Sequence, residues 1–126
     1  MTITLHHLNN SRSIRIIWLL EELEIDYEIK EYQRLSSGMA PPELKQLHPQ
    51  GHSPVIEDKE NGKIIPESGA IIEYLIDKFG NGKFKNDDDL FWKHYCEGTL
   101  SKFAYIFISN IFVELRQCHL LFLNLF

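Results

Sequence analysis

The stretch Gly51-His52-Ser53-Pro54-Val55-Ile56, read together with Ile64-Ile65-Pro66-Glu67-Ser68-Gly69, is the most informative part of this 126-residue chain. In the first stretch Pro54 stands just ahead of an apolar run. Proline has no N–H and an X-Pro bond tolerates the cis form, so the position suits a fixed tight turn that leaves the Ser53 backbone unpaired. In the second, a short apolar run ends and an apolar-periodic helix begins at Ser68. The first turn of that helix offers N–H groups without intrahelical partners, and the Ser68 hydroxyl adds another donor, which together make an anion site. An extended backbone beside a helix N-terminus suits a small peptide with a free carboxylate.

The surrounding elements follow from periodicity and punctuation. Residues 3–8 read as a short buried strand, and Asn9-Asn10-Ser11-Arg12-Ser13 as a loop of capping residues. Residues 14–23 read as a helix whose single polar stripe is Arg15 and Glu22, which predicts burial on two sides. Residues 27–32 alternate polar and apolar, giving a βαβ unit with a right-handed crossover. After a loop from Arg34 to Pro42, Pro41 or Pro42 opens a short helix through about Leu47. Strands at 55–58 and 63–65 flank a turn containing Gly62, a hairpin signal. The helix from Ser68 to Phe79 stops at Gly80.

The order βαβ-α-ββ-α predicts an α/β fold: a thioredoxin-like domain with a mixed four-stranded sheet over residues 1–80. Residues 81–89 are polar and end in Asp87-Asp88-Asp89, which reads as a linker. From Leu90 to about Leu115 the pattern is helical and aromatic, with Phe91, Trp92, Tyr95, Phe103, Tyr105, Phe107 and Phe112. Residues 90–126 therefore read as the start of an all-helical C-terminal domain. The aromatic stripe fits helix packing or a subunit contact better than a substrate cleft.

Composition narrows the function. A net charge of −5 disfavours nonspecific nucleic-acid binding. No long apolar run near the N-terminus indicates a signal peptide or a transmembrane helix, and the apolar stretch 120–126 is too short to span a bilayer. Cys96 and Cys118 form neither a disulfide framework nor a metal motif, which points to a reducing compartment. No His, Asp, Glu or Cys set has metal-ligand spacing, and there is no C-x-x-C for dithiol chemistry.

The Ser53-Pro54 turn followed by Glu67-Ser68 resembles the glutathione site of the glutathione transferases. Asn10-Ser11-Arg12-Ser13 running into Arg15-Ile16-Ile17-Trp18-Leu19-Leu20-Glu21-Glu22-Leu23 is similar to the fungal yeast-type group and its bacterial relatives. Pro41-Pro42-Glu43-Leu44-Lys45, His48-Pro49, Gly51-His52-Ser53-Pro54 and Tyr95-Cys96-Glu97-Gly98-Thr99-Leu100 add further matches in the same order. The resemblance runs to about residue 105. Family members carry a full all-helical second domain, so a truncated C-terminal domain is expected here.

The resemblance implies a transferase that adds the glutathione thiolate to hydrophobic electrophiles, in detoxification. Glutathione enters as co-substrate, with no further cofactor. A free thiol titrates near ~8.5 and only the thiolate is a good nucleophile. Ser11, and after it Asn10, is the implied hydrogen-bond donor to sulfur, with capping of the next helix by Ser11 or Ser13 as the other reading. Glu67 and Ser68 would hold the γ-glutamyl end, against a simple N-cap role. Ser53 and Pro54 would present backbone to the cysteinyl part, against an ordinary strand-start proline, and His52 would approach the glycyl carboxylate, against a solvated loop histidine, with Lys45 and His48 near the same loop. His6 and His7 read as packing or surface residues. The family also implies a homodimer and a cytoplasmic location, with peripheral association with the endoplasmic reticulum. Competing functions are a glutathione-dependent peroxidase, a non-catalytic interaction or regulatory module of the same fold, and an inactive truncated product.

Overall fold

The structure, a computed structural model, describes residues 2–101. Phe103, Tyr105, Phe107, Phe112, Cys118 and the helix expected as far as Leu115 lie outside the described residues. The chain divides into two units, Met1–Lys85 and Asn86–Phe126.

In the first unit β1 (Ile3–Leu8), α1 (Ser13–Glu22) and β2 (Tyr27–Tyr32) form the βαβ unit, with β1 and β2 parallel. After α2 (Glu43–Leu47) come β3 (Val55–Asp58), β4 (Lys63–Pro66) and α3 (Ser68–Phe79). β3 runs antiparallel to both β1 and β4, so the sheet order is β2-β1-β3-β4. This is the mixed four-stranded, thioredoxin-like sheet that the sequence order predicts. Alternation along β1 puts Ile3 and Leu5 in one core with Ile56 of β3, Ile16 and Leu20 of α1, and Leu75 of α3. Each such buried side chain contributes about 1.5–3 kcal/mol relative to exposure.

One expectation fails locally. α1 buries one side only: Ile16, Leu19 and Leu20 are inside, whereas Ile14 and Trp18 are 53% and 51% exposed. The stretch 81–89 spans the boundary between the two units along the chain and has structure of its own. Phe84 packs against the core cluster and meets Trp18, ring centroids 6.2 Å apart, and Lys85 pairs with Asp77 at 2.9 Å. Asp87–Asp89 form the first turn of α4 (Asp87–His94), closed by a capping box between Asn86 and Asp89. Carboxylates in a first helical turn are favoured by the helix dipole, which is why the acidic run belongs to the helix. Beyond α4, Tyr95–Leu100 continue as a π-helical turn. Among the described residues no helix is long and apolar enough to cross a membrane.

Candidate functional site

Sheet register decides which loops meet. Val55, the first residue of β3, pairs with His6 on one side and with Pro66 on the other. The segment after β1, the segment before β3 and the junction of β4 with α3 therefore lie along one edge of the sheet. These are the three segments that carry Ser11, Ser53 and Ser68.

Ser53-Pro54 is a cis peptide. The Ser53 hydroxyl donates to the His6 carbonyl at 2.9 Å and accepts from the Leu8 N–H at 3.1 Å. The side chain thus continues the β1–β3 contact past the point where Pro54 has no N–H to give. The Ser53 backbone takes no part in the loop and turn hydrogen bonds among the described residues. Upstream, Gly51 has φ +61, and a Cβ there would lie 2.5 Å from the Lys45 side chain, so any other residue would be strained and would displace Lys45. Lys45 thereby rests against this loop. His52 is exposed, and the His48 ring accepts a long bond from the Gln50 N–H at 3.4 Å.

A file of polar side chains joins the loop after β1 to Ser53. His7 Nδ1 is 2.7 Å from Ser13 Oγ, Ser13 Oγ is 2.7 Å from Ser11 Oγ, and Ser11 Oγ is 3.4 Å from Ser53 Oγ. Ser13 is wholly buried. The capping reading of this loop changes accordingly. Arg12 is the N-cap of α1 and makes no side-chain cap, while Ser11 Oγ accepts weakly from the Ser13 N–H at 3.3 Å. Asn10 is exposed with φ 51, and its carbonyl accepts from the Arg34 guanidinium at 3.1 Å. Arg34 also donates to the Asn9 carbonyl, and its N–H meets the Asn9 side chain at 2.8 Å. Nothing in the sequence points to this clamp, because Arg34 is distant along the chain and its loop has no periodicity.

At the third segment Glu67 is the N-cap of α3, exposed, with φ 70 and ψ 122 and no side-chain cap. Ser68 is the first helical residue and is buried, so the simple N-cap reading of Ser68 does not hold. A glutamate in left-handed space is a strained arrangement, and it turns the chain sharply so that α3 begins at the sheet edge.

Two clusters, each built on one buried titratable side chain, fix the frame. Asp58, fully buried, accepts from Tyr74, from Lys78 at 2.5 Å and from the Glu60 N–H at 2.9 Å. Burial pushes its carboxyl up, but Lys78, Tyr74 and the Glu60 N–H outweigh that and hold it below the ordinary carboxylate range. Lys78 is pushed up in turn, chiefly by its bonds to Asp58 and Glu60. This cluster pins α3 to the β3–β4 hairpin. His6 is also buried, with Tyr32 at 2.9 Å on Nδ1 and Glu57 at 3.1 Å on Nε2. Burial lowers its pKa against the opposing pull of Glu57. Among the described residues no group of three or more His, Cys, Asp or Glu could hold a metal ion.

Comparison with known proteins fits this geometry. Residues 1–77 match the glutathione S-transferase N-terminal domain. Over 110 residues the chain is 43% identical to glutathione S-transferase 3 of Schizosaccharomyces pombe, covering 82% of this chain and 44% of that protein. Over 109 residues it is 39% identical to glutathione S-transferase 1 of Saccharomyces cerevisiae, covering 78% of this chain and 47% of the relative. A glutathione transferase of Phanerochaete chrysosporium, solved with oxidized glutathione, superposes with a TM-score of 0.71 at 25% identity, covering 90% of this chain and 56% of the other. The chain thus spans about half the length of the relatives it matches.

Proposed function

The chain belongs to the glutathione S-transferase family through its N-terminal domain, and from that premise we propose that it binds glutathione along the sheet edge and activates its thiol for transfer to a hydrophobic electrophile. What supports this reading is the double pairing of Val55 with His6 and Pro66. It gathers a hydroxyl loop, a proline-framed backbone and a helix N-terminus within reach of one short peptide. In this reading the γ-glutamyl end lies at Glu67 and Ser68, where first-turn N–H groups favour the carboxylate and Glu67 accepts from the ammonium. The Ser53 backbone pairs with the cysteinyl residue beside Pro54, and His52 faces the glycyl carboxylate. Ser11 donates to the sulfur, with Asn10 next to it. Lowering a thiol pKa from ~8.5 by about two takes roughly 2.7 kcal/mol, within reach of one or two hydrogen bonds to an anion aided by a helix N-terminus.

The exposed apolar residues Ile14 and Trp18 of α1, and Phe91 and Trp92 of α4, support assembly as a homodimer. A cytoplasmic setting and a role in detoxification accord with the family. The deciding experiment is retention on immobilised glutathione and calorimetry. The wild-type chain should bind, and the double variant Glu67→Ala, Ser68→Ala should not. Absence of binding heat for the folded protein at millimolar glutathione would refute the reading.

A further inference from the structure

The file from His7 to Ser53 contains more hydrogen-bond contacts than hydroxyl protons, and counting the protons orders it. The Ser53 hydroxyl has one proton, and that proton goes to the His6 carbonyl, which can only accept. Ser53 Oγ is therefore an acceptor toward both the Leu8 N–H and Ser11. Toward Ser53, 3.4 Å away, Ser11 can then only donate, and in that sense it is an acceptor toward Ser13. Ser13 must spend its proton on Ser11, which makes it an acceptor toward His7. One assignment satisfies every contact: His7 donates from Nδ1 to Ser13, Ser13 donates to Ser11, and Ser11 donates outward.

We infer that His7 is a positioning residue for the thiol: its Nδ1–H, relayed by the buried Ser13 hydroxyl, holds the Ser11 proton on the ligand side. The thiolate part of this inference rests on the function proposed above; the proton assignment does not. The contact from Ser11 to Ser53, at 3.4 Å, is the longest of the series. A normal O–H···O bond is several tenths of an ångström shorter, so this is the weak link that a sulfur anion would replace. The reverse sense, with Ser11 donating to Ser13 and Ser13 to His7, would leave Ser11 without a proton for the sulfur. The imidazole side thus decides whether Ser11 is a donor or an acceptor at the site. Burial of Ser13 removes competing water from the middle of the relay.

The first test uses the full chain without ligand. Nitrogen-15 NMR of the His7 ring, at a pH where the ring is neutral, should show the proton on Nδ1 in the wild type. It should return to Nε2 in Ser13→Ala. A wild-type Nε2–H ring overturns the inference. The second test reads the ultraviolet thiolate band of bound glutathione. His7→Gln, which keeps an N–H donor, should hold the thiolate equilibrium within about twofold, whereas His7→Leu should lower it about three- to tenfold. Combining His7→Leu with Ser11→Ala should cost no more than Ser11→Ala alone. An undiminished thiolate band in His7→Leu overturns the inference as well. If glutathione fails to bind the wild type at all, the proposed function falls, while the ring assignment is still decided by the first test.

Discussion

The Ser53 hydroxyl donates to the His6 carbonyl at 2.9 Å, which fastens the loop ahead of β3 to the strand beside it. Replacing Ser53 with Ala leaves that carbonyl and the Leu8 N–H without this partner. We expect a loss of about 1–3 kcal/mol in urea unfolding, together with weaker glutathione binding. Ser53→Thr, which keeps the hydroxyl, should recover most of the stability. An Ala variant as stable as the wild type would mean that the tie contributes nothing.

Ser11 should act on sulfur more than on peptide affinity. Ser11→Ala is expected to lower the thiolate equilibrium of bound glutathione roughly ten- to a hundredfold, the worth of one hydrogen bond to an anion. Affinity by calorimetry should stay within a few-fold, because the peptide is held elsewhere. An unchanged thiolate band removes Ser11 from this role, and an effect in Asn10→Ala instead would move it one residue back.

Glu67, at φ 70, stores strain at the start of α3. Glu67→Gly relieves the left-handed conformation and removes the carboxylate. Thermal unfolding should show a net gain of about 1 kcal/mol or less, after the extra entropy of glycine in the unfolded chain. Glutathione binding should weaken at the same time. Stability and binding falling together would argue that the carboxylate, not the strain, shapes this corner.

Acid should destabilise the fold in two stages. Burial holds the folded-state pKa of His6 below its ordinary 6.5, so the unfolded chain takes up that proton first as pH falls. The contribution of His6 is complete above that value and is lost as pH drops through its lower folded value. Asp58, also depressed in the fold, adds a loss of the same sign at lower pH, as its ionised form is the one that Lys78 and Tyr74 hold. Urea midpoints should decline as pH falls below 6.5, and His6→Gln should flatten that part of the curve. A wild-type midpoint that is constant over that part contradicts the assignment.

Thr4 Oγ1 is buried and has no hydrogen-bond partner among the described residues. Thr4→Val keeps the shape and removes the unsatisfied hydroxyl. It should raise stability by about 1 kcal/mol in the same urea assay. A destabilised variant would indicate that the hydroxyl is solvated in the folded protein.

Most of the element order is legible along the chain, because its signals are local. β1, β2, β3 and α3 carry their own periodicity, Gly62 marks the hairpin, and Pro42 sits where a short helix opens. The Ser53-Pro54 and Glu67-Ser68 stretches also announce themselves, each through proline chemistry or a helix start. The capping box at Asn86 and Asp89 was legible too, as Asn followed three residues later by Asp, but the acidic run masked it as a linker.

Other features depend on register and on contacts between distant residues. Pairing of Val55 with both His6 and Pro66 brings three separated segments to one edge, and no local pattern states which strands neighbour which. Arg34 holds Asn9 and Asn10 from across a parallel crossover, and Phe84 returns to the core from a polar stretch. His7 and Ser13 look like a strand residue and a helix cap until the fold sets them 2.7 Å apart. Periodicity reports which face of an element seeks apolar cover. The direction of a hydroxyl proton depends instead on every donor and acceptor that tertiary packing brings within reach, and for Ser11 those are Ser13 at the start of α1, itself held by His7 of β1, and Ser53 in the segment before β3.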